Sequence, residues 1–386
     1  MKIISVVGAR PNFMKIASFS RAIIDFNQTV INSDYIHHIL VHTGQHYDDR
    51  MSQTFFDELN IPEANINLGI GSGTHAEQIG YTMIEFEKVL KKERPDWVVV
   101  IGDVNATLAC SVVGKKEGVK VCHIEAGLRS GDLTMPEEVN RLVTDRLSDL
   151  LLTPDEISTQ NLRLEGVPEK NIVFVGNIMI DILETKRAVA KELRINLIID
   201  QNYINGVKFK EKVPQEEAYA LVTLHRPSNV DDKAVLSGIV NFLMTEVAKD
   251  FTIIWTIHPR TLKQLQNFQL FENVSKNSNI ILLEPLGYLE MLRLNMSAKI
   301  MLTDSGGLQE ECTILGTPCL TLRWNTERPV TLKEHGGASV LVGNTVNQIR
   351  EEYRIAIKKS RSPFRPNLWD GKTAERCINA ILSFKG

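Results

Sequence analysis

The fold is decided by residues 97–103, which read WVVVIGD. Five consecutive apolar residues, four of them β-branched, lead directly into a glycine and an acid. A run that is apolar at every position, and not at alternate positions, is typical of a strand buried on both faces of a parallel sheet. A helical pattern follows at residues 107–117, so this part of the chain predicts a strand, a loop and a helix.

The same unit recurs about six times in each half of the chain. Such alternation predicts an α/β protein with two doubly wound, Rossmann-like domains, each built on a parallel sheet. We expect the two sheets to face each other across a cleft, with ligands beyond the carboxyl ends of the strands. The predicted strands are residues 2–7, 36–43, 97–101, 119–124, 150–153 and 172–175, then 219–224, 251–257, 280–283, 299–303, 318–322 and 339–342.

The composition excludes several classes of protein. A net charge of −3, with Lys and Arg spread along the chain, argues against nucleic acid or an anionic membrane as the main partner. No apolar run approaches membrane-spanning length, and the N-terminus enters a strand at once, so we expect a cytoplasmic protein. The five cysteines lack C-x-x-C spacing, so neither a zinc ribbon nor a redox dithiol is expected. Packing roles are predicted for Cys110, Cys122, Cys319 and Cys377.

A phosphate site is predicted where the strand at 299–303 ends. Ser305, Gly306 and Gly307 lie there, at the start of a helix. Glycines let phosphate oxygens approach backbone N–H groups, and the positive end of the helix dipole favours an anion. A helix cap at Ser305 is the alternative, but it does not explain two glycines. Glu310 or Glu311 is a candidate for the ribose hydroxyls, since a carboxylate can accept hydrogen bonds from both groups of a diol.

A second candidate anion site follows the first strand. Gly8 allows a tight turn there, and Arg10 and Lys15 place cations near a helix N-terminus. A solvated loop capped by Asn12 is the alternative.

Acidic residues follow strands in the first half of the chain. Asp103 follows the predicted strand 97–101 after Gly102, Glu125 directly follows the predicted strand 119–124, and Glu137 precedes Arg141 by one helical turn. Carboxylates that converge at one sheet edge raise one another's pKa, which is how general acids and bases are tuned. Helix capping is the alternative for Asp103 and Glu137 taken singly.

Basic residues follow strands in the second half. His225 comes after the strand at 219–224, and it is a candidate for binding phosphate or moving a proton. A buried structural histidine is the alternative. Arg323 follows the strand at 318–322 in the same way. The match of residues 71–76 to G-x-G-x-x-A does not follow the first strand, so no NAD site is expected.

Seven short segments in order along the chain resemble the non-hydrolysing UDP-N-acetylglucosamine 2-epimerases, which have the GT-B architecture of many glycosyltransferases. The segments are residues 8–15 (GARPNFMK), 102–103 (GD), 123–129 (HIEAGLR), 136–141 (PEEVNR), 223–226 (TLHR), 304–311 (DSGGLQEE) and 326–329 (TERP). In that architecture the last helix returns to the first domain. The resemblance therefore implies an N-terminal catalytic domain at residues 1–177 with the helix 367–386, and a nucleotide-binding domain at 178–366.

The resemblance also assigns roles to individual residues. The implied catalytic groups are Asp103, Glu125, Glu137 and His225. The implied contacts to the substrate diphosphate are Arg10, Ser305, Gly306 and Gly307. The other implied substrate-binding residues are Lys15, Arg141, Arg323 and, on the ribose, Glu311.

The implied reaction is reversible epimerisation at C2 of UDP-N-acetylglucosamine, by elimination and re-addition of UDP. The expected ligands are UDP-N-acetylglucosamine and UDP, with no metal or other cofactor, and the expected assembly is a homodimer. Three alternatives stay open at this point: a GT-B glycosyltransferase with a UDP-sugar donor, a hydrolysing 2-epimerase, and a nucleotide-sugar sensor without chemistry. Convergence of Asp103, Glu125 and Glu137 favours the epimerase.

Overall fold

The computed structural model describes residues 1–8, 10–30, 35–44, 63–204, 214–216 and 218–385, with the backbone alone for Arg10 and Pro11. The chain forms two compact units. Unit 1 comprises Met1–Thr185 and Pro366–Gly386, and unit 2 comprises Lys186–Arg365.

Unit 1 contains a seven-stranded parallel sheet in the order β3-β2-β1-β4-β5-β6-β7. Its strands are β1 (Lys2–Val7), β2 (His37–His42), β3 (Ile66–Asn67), β4 (Trp97–Ile101), β5 (Lys120–Ile124), β6 (Leu150–Thr153) and β7 (Ile172–Phe174). Its first helices are α1 (Arg10–Thr29), α2 (His75–Glu93), α3 (Asn105–Lys116), α4 (Pro136–Leu147), α5 (Glu156–Leu164) and α6 (Ile178–Glu192), which continues into unit 2. Sequence analysis missed β3, because two residues give no apolar run to detect.

Unit 2 contains a six-stranded parallel sheet in the order β10-β9-β8-β11-β12-β13. Its strands are β8 (Tyr219–Thr223), β9 (Thr252–Thr256), β10 (Ile280–Leu283), β11 (Ile300–Thr303), β12 (Cys319–Thr321) and β13 (Ser339–Leu341). Its helices are α7 (Ile195–Gln201), α8 (Pro227–Val230), α9 (Lys233–Phe242), α10 (Ala248–Asp250), α11 (Pro259–Asn267), α12 (Phe271–Ser275), α13 (Tyr288–Ser297), α14 (Gly306–Leu315) and α15 (Val346–Ala356).

Both faces of each sheet are covered, which is why the strands are apolar at every position. All five residues of β4 are buried. In β8, Tyr219 and Leu221 belong to one hydrophobic cluster, whereas Ala220 and Val222 belong to another. Successive side chains of a strand point to opposite faces, so the two clusters are the cores on the two sides of the sheet. The prediction of two doubly wound parallel sheets is confirmed.

The strand order reverses at one place in each sheet. In unit 1 this switch point lies between β1 and β4, and in unit 2 between β8 and β11. Loops that leave neighbouring strands at a switch point diverge to opposite faces of the sheet and leave a crevice between them, where ligands bind. The predicted site residues follow these strands or their neighbours β5 and β12.

The last helix, α16 (Thr373–Ser383), packs against α1 in unit 1. Asp181 fixes its start, because the carboxylate accepts hydrogen bonds from the N–H groups of Thr373 at 3.0 Å and Ala374 at 2.7 Å. The indole N–H of the buried Trp369 donates to the carbonyl of Pro154 at 2.8 Å. The chain therefore ends on the unit in which it began.

All five cysteines are buried, as predicted for Cys110, Cys122, Cys319 and Cys377. None of the described helices has the length and apolar composition that a membrane crossing requires.

Candidate active site

In unit 1, a buried ion pair lies where β1, β4 and β5 end side by side. The ammonium of Lys15, in α1, is bonded to the carboxylate of Glu125, the first residue after β5. Only 7% of the Lys15 side chain and 3% of the Glu125 side chain are exposed. Lys15, predicted as a substrate contact, thus serves first as the counter-ion of a predicted catalytic acid.

Backbone conformation at the strand ends makes room for this pair. Glu125 has a φ of 77°, a value that is uncommon outside glycine and that concentrates at functional sites. Gly102, directly after β4, has a φ of 69°. A Cβ atom at Gly102 would lie 3.0 Å from Lys15 Nζ and 3.3 Å from Glu125 Oε2. A side chain at position 102 would therefore press on the ion pair.

A second set of charges surrounds Arg141 in α4. Its guanidinium bonds through Nη1 to Asp103, and through Nε, at 2.9 Å, to Glu138. Glu138 also accepts hydrogen bonds from the N–H groups of Ser130 at 3.0 Å and Gly131 at 2.9 Å. Burial opposes ionisation of Glu138, but the hydrogen bonds from Ser130 and Arg141 outweigh it and lower its pKa. Glu138 therefore fixes the guanidinium that faces Asp103.

Glu137 differs from its neighbour Glu138. It lies exposed in the first turn of α4, and its carboxylate makes no hydrogen bond or ion pair with another described residue. The capping alternative does not hold for either candidate acid. The N-cap of α3 is Val104 and that of α4 is Met135, so neither Asp103 nor Glu137 occupies the cap position.

Unit 1 thus brings Lys15 together with Glu125, and Arg141 with Asp103, but leaves Glu137 outside both ion pairs. The backbone of Arg10 begins α1, and its side chain lies outside the described part of the structure.

In unit 2, the loops after the neighbouring strands β8 and β11 are joined by Asp304. Its carboxylate is fully buried and accepts hydrogen bonds from the backbone N–H groups of His225 at 3.0 Å and Arg226 at 2.9 Å. It also accepts from the Asn229 amide at 3.0 Å, and His225 Nδ1 lies 2.8 Å from Asp304 Oδ1. The His225 side chain stays 41% exposed, so the alternative of a buried structural histidine is excluded.

The helix N-terminus predicted to bind phosphate is present at α14. Ser305 is its N-cap residue by position, but the Ser305 side chain makes no capping hydrogen bond. The first turn of a helix leaves backbone N–H groups without intrahelical partners, and α14 carries no acidic side chain there. A Cβ atom at Gly307 would meet nothing within 4 Å. The turn is therefore open to an anion at Gly307.

A buried network of alternating charges lies against Gly306. Arg328 bonds through Nη1 to Glu327 and through Nε to Glu310 at 2.7 Å, and Glu327 also accepts from Arg323 at 2.7 Å. Burial opposes ionisation of Glu327, but the Arg328 and Arg323 charges outweigh it and hold its pKa well below the usual range. Arg323, predicted as a substrate contact, is buried in this network with 3% of its side chain exposed.

Glu311 lies one turn into α14 and is buried. Burial raises its pKa to about 7; the amide of Asn295 partly offsets this, and the charge of Glu310 adds to it. Its Oε2 atom has no hydrogen-bond partner among the described residues. A buried carboxyl oxygen without a partner is costly, so this atom is a candidate for a ligand contact.

Three acids of these clusters were missed as site residues by the sequence analysis: Asp304, Glu138 and Glu327. Asp304 follows a buried strand directly, which is the same signal that selected Asp103. Glu138 and Glu327 carry no such signal, because their burial depends on arginines that fold back onto them.

The fold and these clusters define a two-sheet α/β protein with ion-paired carboxylates in one unit and an open, glycine-rich helix N-terminus in the other. The family model described as UDP-N-acetylglucosamine 2-epimerase matches residues 28–382. The chain therefore belongs to the UDP-N-acetylglucosamine 2-epimerase family, and the predicted resemblance is confirmed.

Similar proteins cover almost the whole chain. The UDP-N-acetylglucosamine 2-epimerase of Methanocaldococcus jannaschii is 43% identical over 383 residues, which are 99% of this chain and 99% of that protein. The crystal structure of the M. jannaschii enzyme in complex with UDP-N-acetylglucosamine and UDP matches with a TM-score of 0.86, at 41% identity over 100% of both chains. The UDP-2,3-diacetamido-2,3-dideoxy-D-glucuronate 2-epimerase of Pseudomonas aeruginosa is 38% identical over 364 residues, 93% of each chain.

Proposed function

We propose that this protein catalyses the reversible epimerisation of UDP-N-acetylglucosamine to UDP-N-acetylmannosamine. The family membership supplies the reaction class. The observation that carries the proposal is the grouping of ion-paired carboxylates at the ends of β4 and β5, because inversion of a carbon centre needs groups that remove and return a proton.

The chemistry of the sugar favours elimination. The C2 proton is not adjacent to a carbonyl group and is poorly acidic. A carboxylate takes this proton while the anomeric C–O bond breaks. The electron pair of the C2–H bond then forms a C1–C2 double bond, and UDP leaves with the electron pair of the C–O bond. The intermediate is 2-acetamidoglucal. UDP then adds back to C1 as a proton is delivered to the opposite face of C2.

The proposed proton-transfer groups are Asp103, Glu125 and Glu137. A proton is removed from one face of C2 and returned to the other, so two acid–base groups are required, and this explains why the site contains more than one carboxylate. Lys15 and Arg141 hold two of these acids in ion pairs, so their proposed roles are to position Glu125 and Asp103 as well as to face the substrate.

Unit 2 is proposed to hold the UDP moiety. The leaving diphosphate needs hydrogen-bond donors and positive charge, which His225 and the backbone at Ser305–Gly307 offer. Arg10 is proposed as a further cation at the diphosphate, and Glu311 as the acceptor for the ribose hydroxyls. Arg323 is proposed to bind the substrate: its Nη2 atom is held by Glu327, and its buried Nη1 atom has no hydrogen-bond partner among the described residues.

The test is proton NMR of UDP-N-acetylglucosamine incubated with the protein in deuterated water. The expected result is UDP-N-acetylmannosamine with deuterium at C2 and an intact bond to UDP. Release of free N-acetylmannosamine would identify a hydrolysing epimerase instead. If no sugar product forms, binding of UDP alone would leave a sensor, and transfer to an added acceptor would identify a glycosyltransferase.

The same reaction on a 2,3-diacetamido sugar is a second candidate, because the P. aeruginosa relative with that name is 38% identical. Kinetic assays with the two UDP-sugars decide between them. The kcat/KM for UDP-N-acetylglucosamine should be at least ~10-fold higher than that for the diacetamido sugar.

We also propose a cytoplasmic homodimer that needs no cofactor. The dimer is supported by Tyr81 and Ile84, which lie three residues apart on α2 and expose 57% and 53% of their surface, and by Val139 on α4 at 44%. Analytical ultracentrifugation tests this assembly, and a mass near 43.5 kDa would contradict it.

A further inference from the structure

The Asp304 carboxylate accepts hydrogen bonds from more donors than a helix-capping carboxylate does. Two of them are backbone N–H groups of the β8 loop, one is the Asn229 amide, and one is the ring nitrogen of His225. None of the Asp304 surface is exposed, so substrate cannot reach its carboxylate. Asp304 can therefore affect the reaction only indirectly, through the residues that are hydrogen-bonded to it.

The His225 ring is held from two sides. Nδ1 lies 2.8 Å from Asp304 Oδ1, and the ring of His258 packs 5.6 Å away, centroid to centroid, at 41°. Burial opposes ionisation of Asp304, but the hydrogen bonds from His225, Arg226 and Asn229 outweigh it, lower its pKa and keep it ionised. An ionised carboxylate can only accept, so the hydrogen atom of this contact belongs to Nδ1. The His225 side chain is 41% exposed, and with Nδ1 occupied by Asp304 the ring nitrogen left for a ligand is Nε2.

We propose that Asp304 is a positioning residue for catalysis: it fixes His225 as the Nδ1–H tautomer and turns the bare Nε2 toward the substrate. The proposal rests on the proposed function, in which His225 faces the diphosphate. It assigns no contact with substrate to Asp304 itself.

The chemical consequence concerns the proton that accompanies UDP. With hydrogen on Nδ1, Nε2 can carry a proton taken from solvent, give it to a phosphate oxygen as the C–O bond breaks, and take it back from that oxygen when UDP adds to C1. With hydrogen on Nε2, the ring has no position for that proton on the substrate side. Orientation of a catalytic base by a buried acid follows the same physical principle in other enzymes, where loss of the acid leaves the wrong tautomer.

The first experiment needs no change at Asp304. The protein is labelled with 15N in its histidine rings, and the His225 signals are identified by their absence in His225→Asn. At a pH where the His225 ring is neutral, the signals should show hydrogen on Nδ1 and no hydrogen on Nε2. Hydrogen on Nε2 with a bare Nδ1 would overturn the proposal, whether or not the protein turns over any sugar.

The second experiment is a double-mutant cycle of Asp304→Asn and His225→Asn. Asp304→Asn should lower kcat by at least ~100-fold, the usual scale of an acid–base group. In the His225→Asn background the same change should lower kcat by less than ~3-fold, because Asp304 acts through a ring that is no longer there. Losses that multiply in the double variant would mean that Asp304 has only a structural role.

Asn229→Ala is the matched control. It removes a buried hydrogen bond to Asp304 but leaves both partners of the His225 contact in place. It should lower the melting temperature while keeping the Nδ1–H tautomer and the pH profile of kcat. If Asn229→Ala changes tautomer and pH profile as Asp304→Asn does, the effect belongs to the loop and the proposal fails.

Discussion

The ammonium of Lys15 and the carboxylate of Glu125 form an ion pair that is almost completely removed from water. Each charge alone would lose its hydration without compensation, a cost of several kcal/mol per ion in real proteins. The two residues come from α1 and from the loop after β5, which are 110 positions apart in the chain. The pair is therefore a long-range contact that helps to hold the loop in its left-handed conformation at Glu125.

Replacement of Lys15 by Met is expected to lower the free energy of unfolding by roughly 3–5 kcal/mol, because it removes the ammonium that is ion-paired with the buried Glu125 carboxylate. Urea denaturation at pH 7 measures this. The double variant Lys15→Met/Glu125→Gln should recover most of the loss, since both charges are then gone.

The control for this change is Lys88→Met. Lys88 forms an ion pair with Glu85 on α2, but 65% of its side chain is exposed, and exposed pairs contribute little. Equal loss of stability in Lys15→Met and Lys88→Met would contradict the importance assigned to burial.

Substitutions of the adjacent acids Glu137 and Glu138 are predicted to have different effects, one on turnover and the other on stability. Glu137→Gln should lower kcat by at least ~100-fold with no change in melting temperature, because the side chain is exposed and makes no contact that folding requires. Glu138→Gln should lower the melting temperature, because the carboxylate is hydrogen-bonded to Arg141 and two loop N–H groups. Turnover assays and differential scanning calorimetry on the same samples separate the two.

Asp103→Asn is expected to lower kcat by at least ~100-fold as well. Its ion pair with Arg141 leaves 26% of the Asp103 side chain exposed, so the protein should still fold. Near-normal turnover in both Asp103→Asn and Glu137→Gln would remove these carboxylates from the mechanism.

The two glycines at the start of α14 are predicted to respond differently to alanine. A Cβ atom at Gly306 would lie 2.7 Å from both Arg328 Nη1 and Glu327 Oε1, so Gly306→Ala should displace the buried charge network and lower stability. Gly307→Ala meets open space and should preserve stability. If the diphosphate lies against this turn, Gly307→Ala should nevertheless weaken UDP binding at least ~10-fold, because the methyl group occupies the approach to the N–H groups.

Isothermal titration calorimetry with UDP and thermal unfolding test both variants. Unchanged UDP affinity in a folded Gly307→Ala protein would place the diphosphate elsewhere.

The sheets were predictable because their signal is local. Short, largely apolar runs, five of them followed directly by glycine, marked twelve of the strands, and the loops after them held Asp103, Glu125, His225 and Ser305. The two-residue strand β3 gave no such signal. Strand ends also predict which residues gather at one edge of a sheet, since parallel strands all point the same way.

The partners of the site residues were not predictable in the same way. Arg323 follows a strand and is implied by the resemblance to contact substrate; its Nη2 atom donates to Glu327, four residues along the same loop. Whether an arginine faces a ligand or an acid a few residues away depends on side-chain conformation, which the pattern of strands does not encode. Glu138 rather than Glu137 is buried for the same reason, since one helical position decides which of the two meets Arg141.

The burial of Glu311 predicts a pH dependence with a definite sign. Its pKa is raised from 4.5 to about 7 in the folded protein, so the folded state holds a proton that the unfolded state loses first. The stabilisation is present in full below pH 4.5 and is lost as the pH rises to about 7. Glu311→Gln cannot ionise and lacks this dependence. Its stability relative to wild type should therefore rise by up to roughly 3 kcal/mol between pH 5 and pH 8.

Binding of UDP should reverse the preference of Glu311. Ribose hydroxyls that donate to the carboxylate favour its ionised form, so UDP binding near pH 7 should release a proton from Glu311 to the buffer. Titration calorimetry in buffers of different ionisation enthalpy counts that proton. UDP has its own titrating phosphate, and Glu311→Gln corrects for it, because only the difference between the two proteins belongs to Glu311. An identical proton count in both would mean that the ribose does not contact this carboxylate.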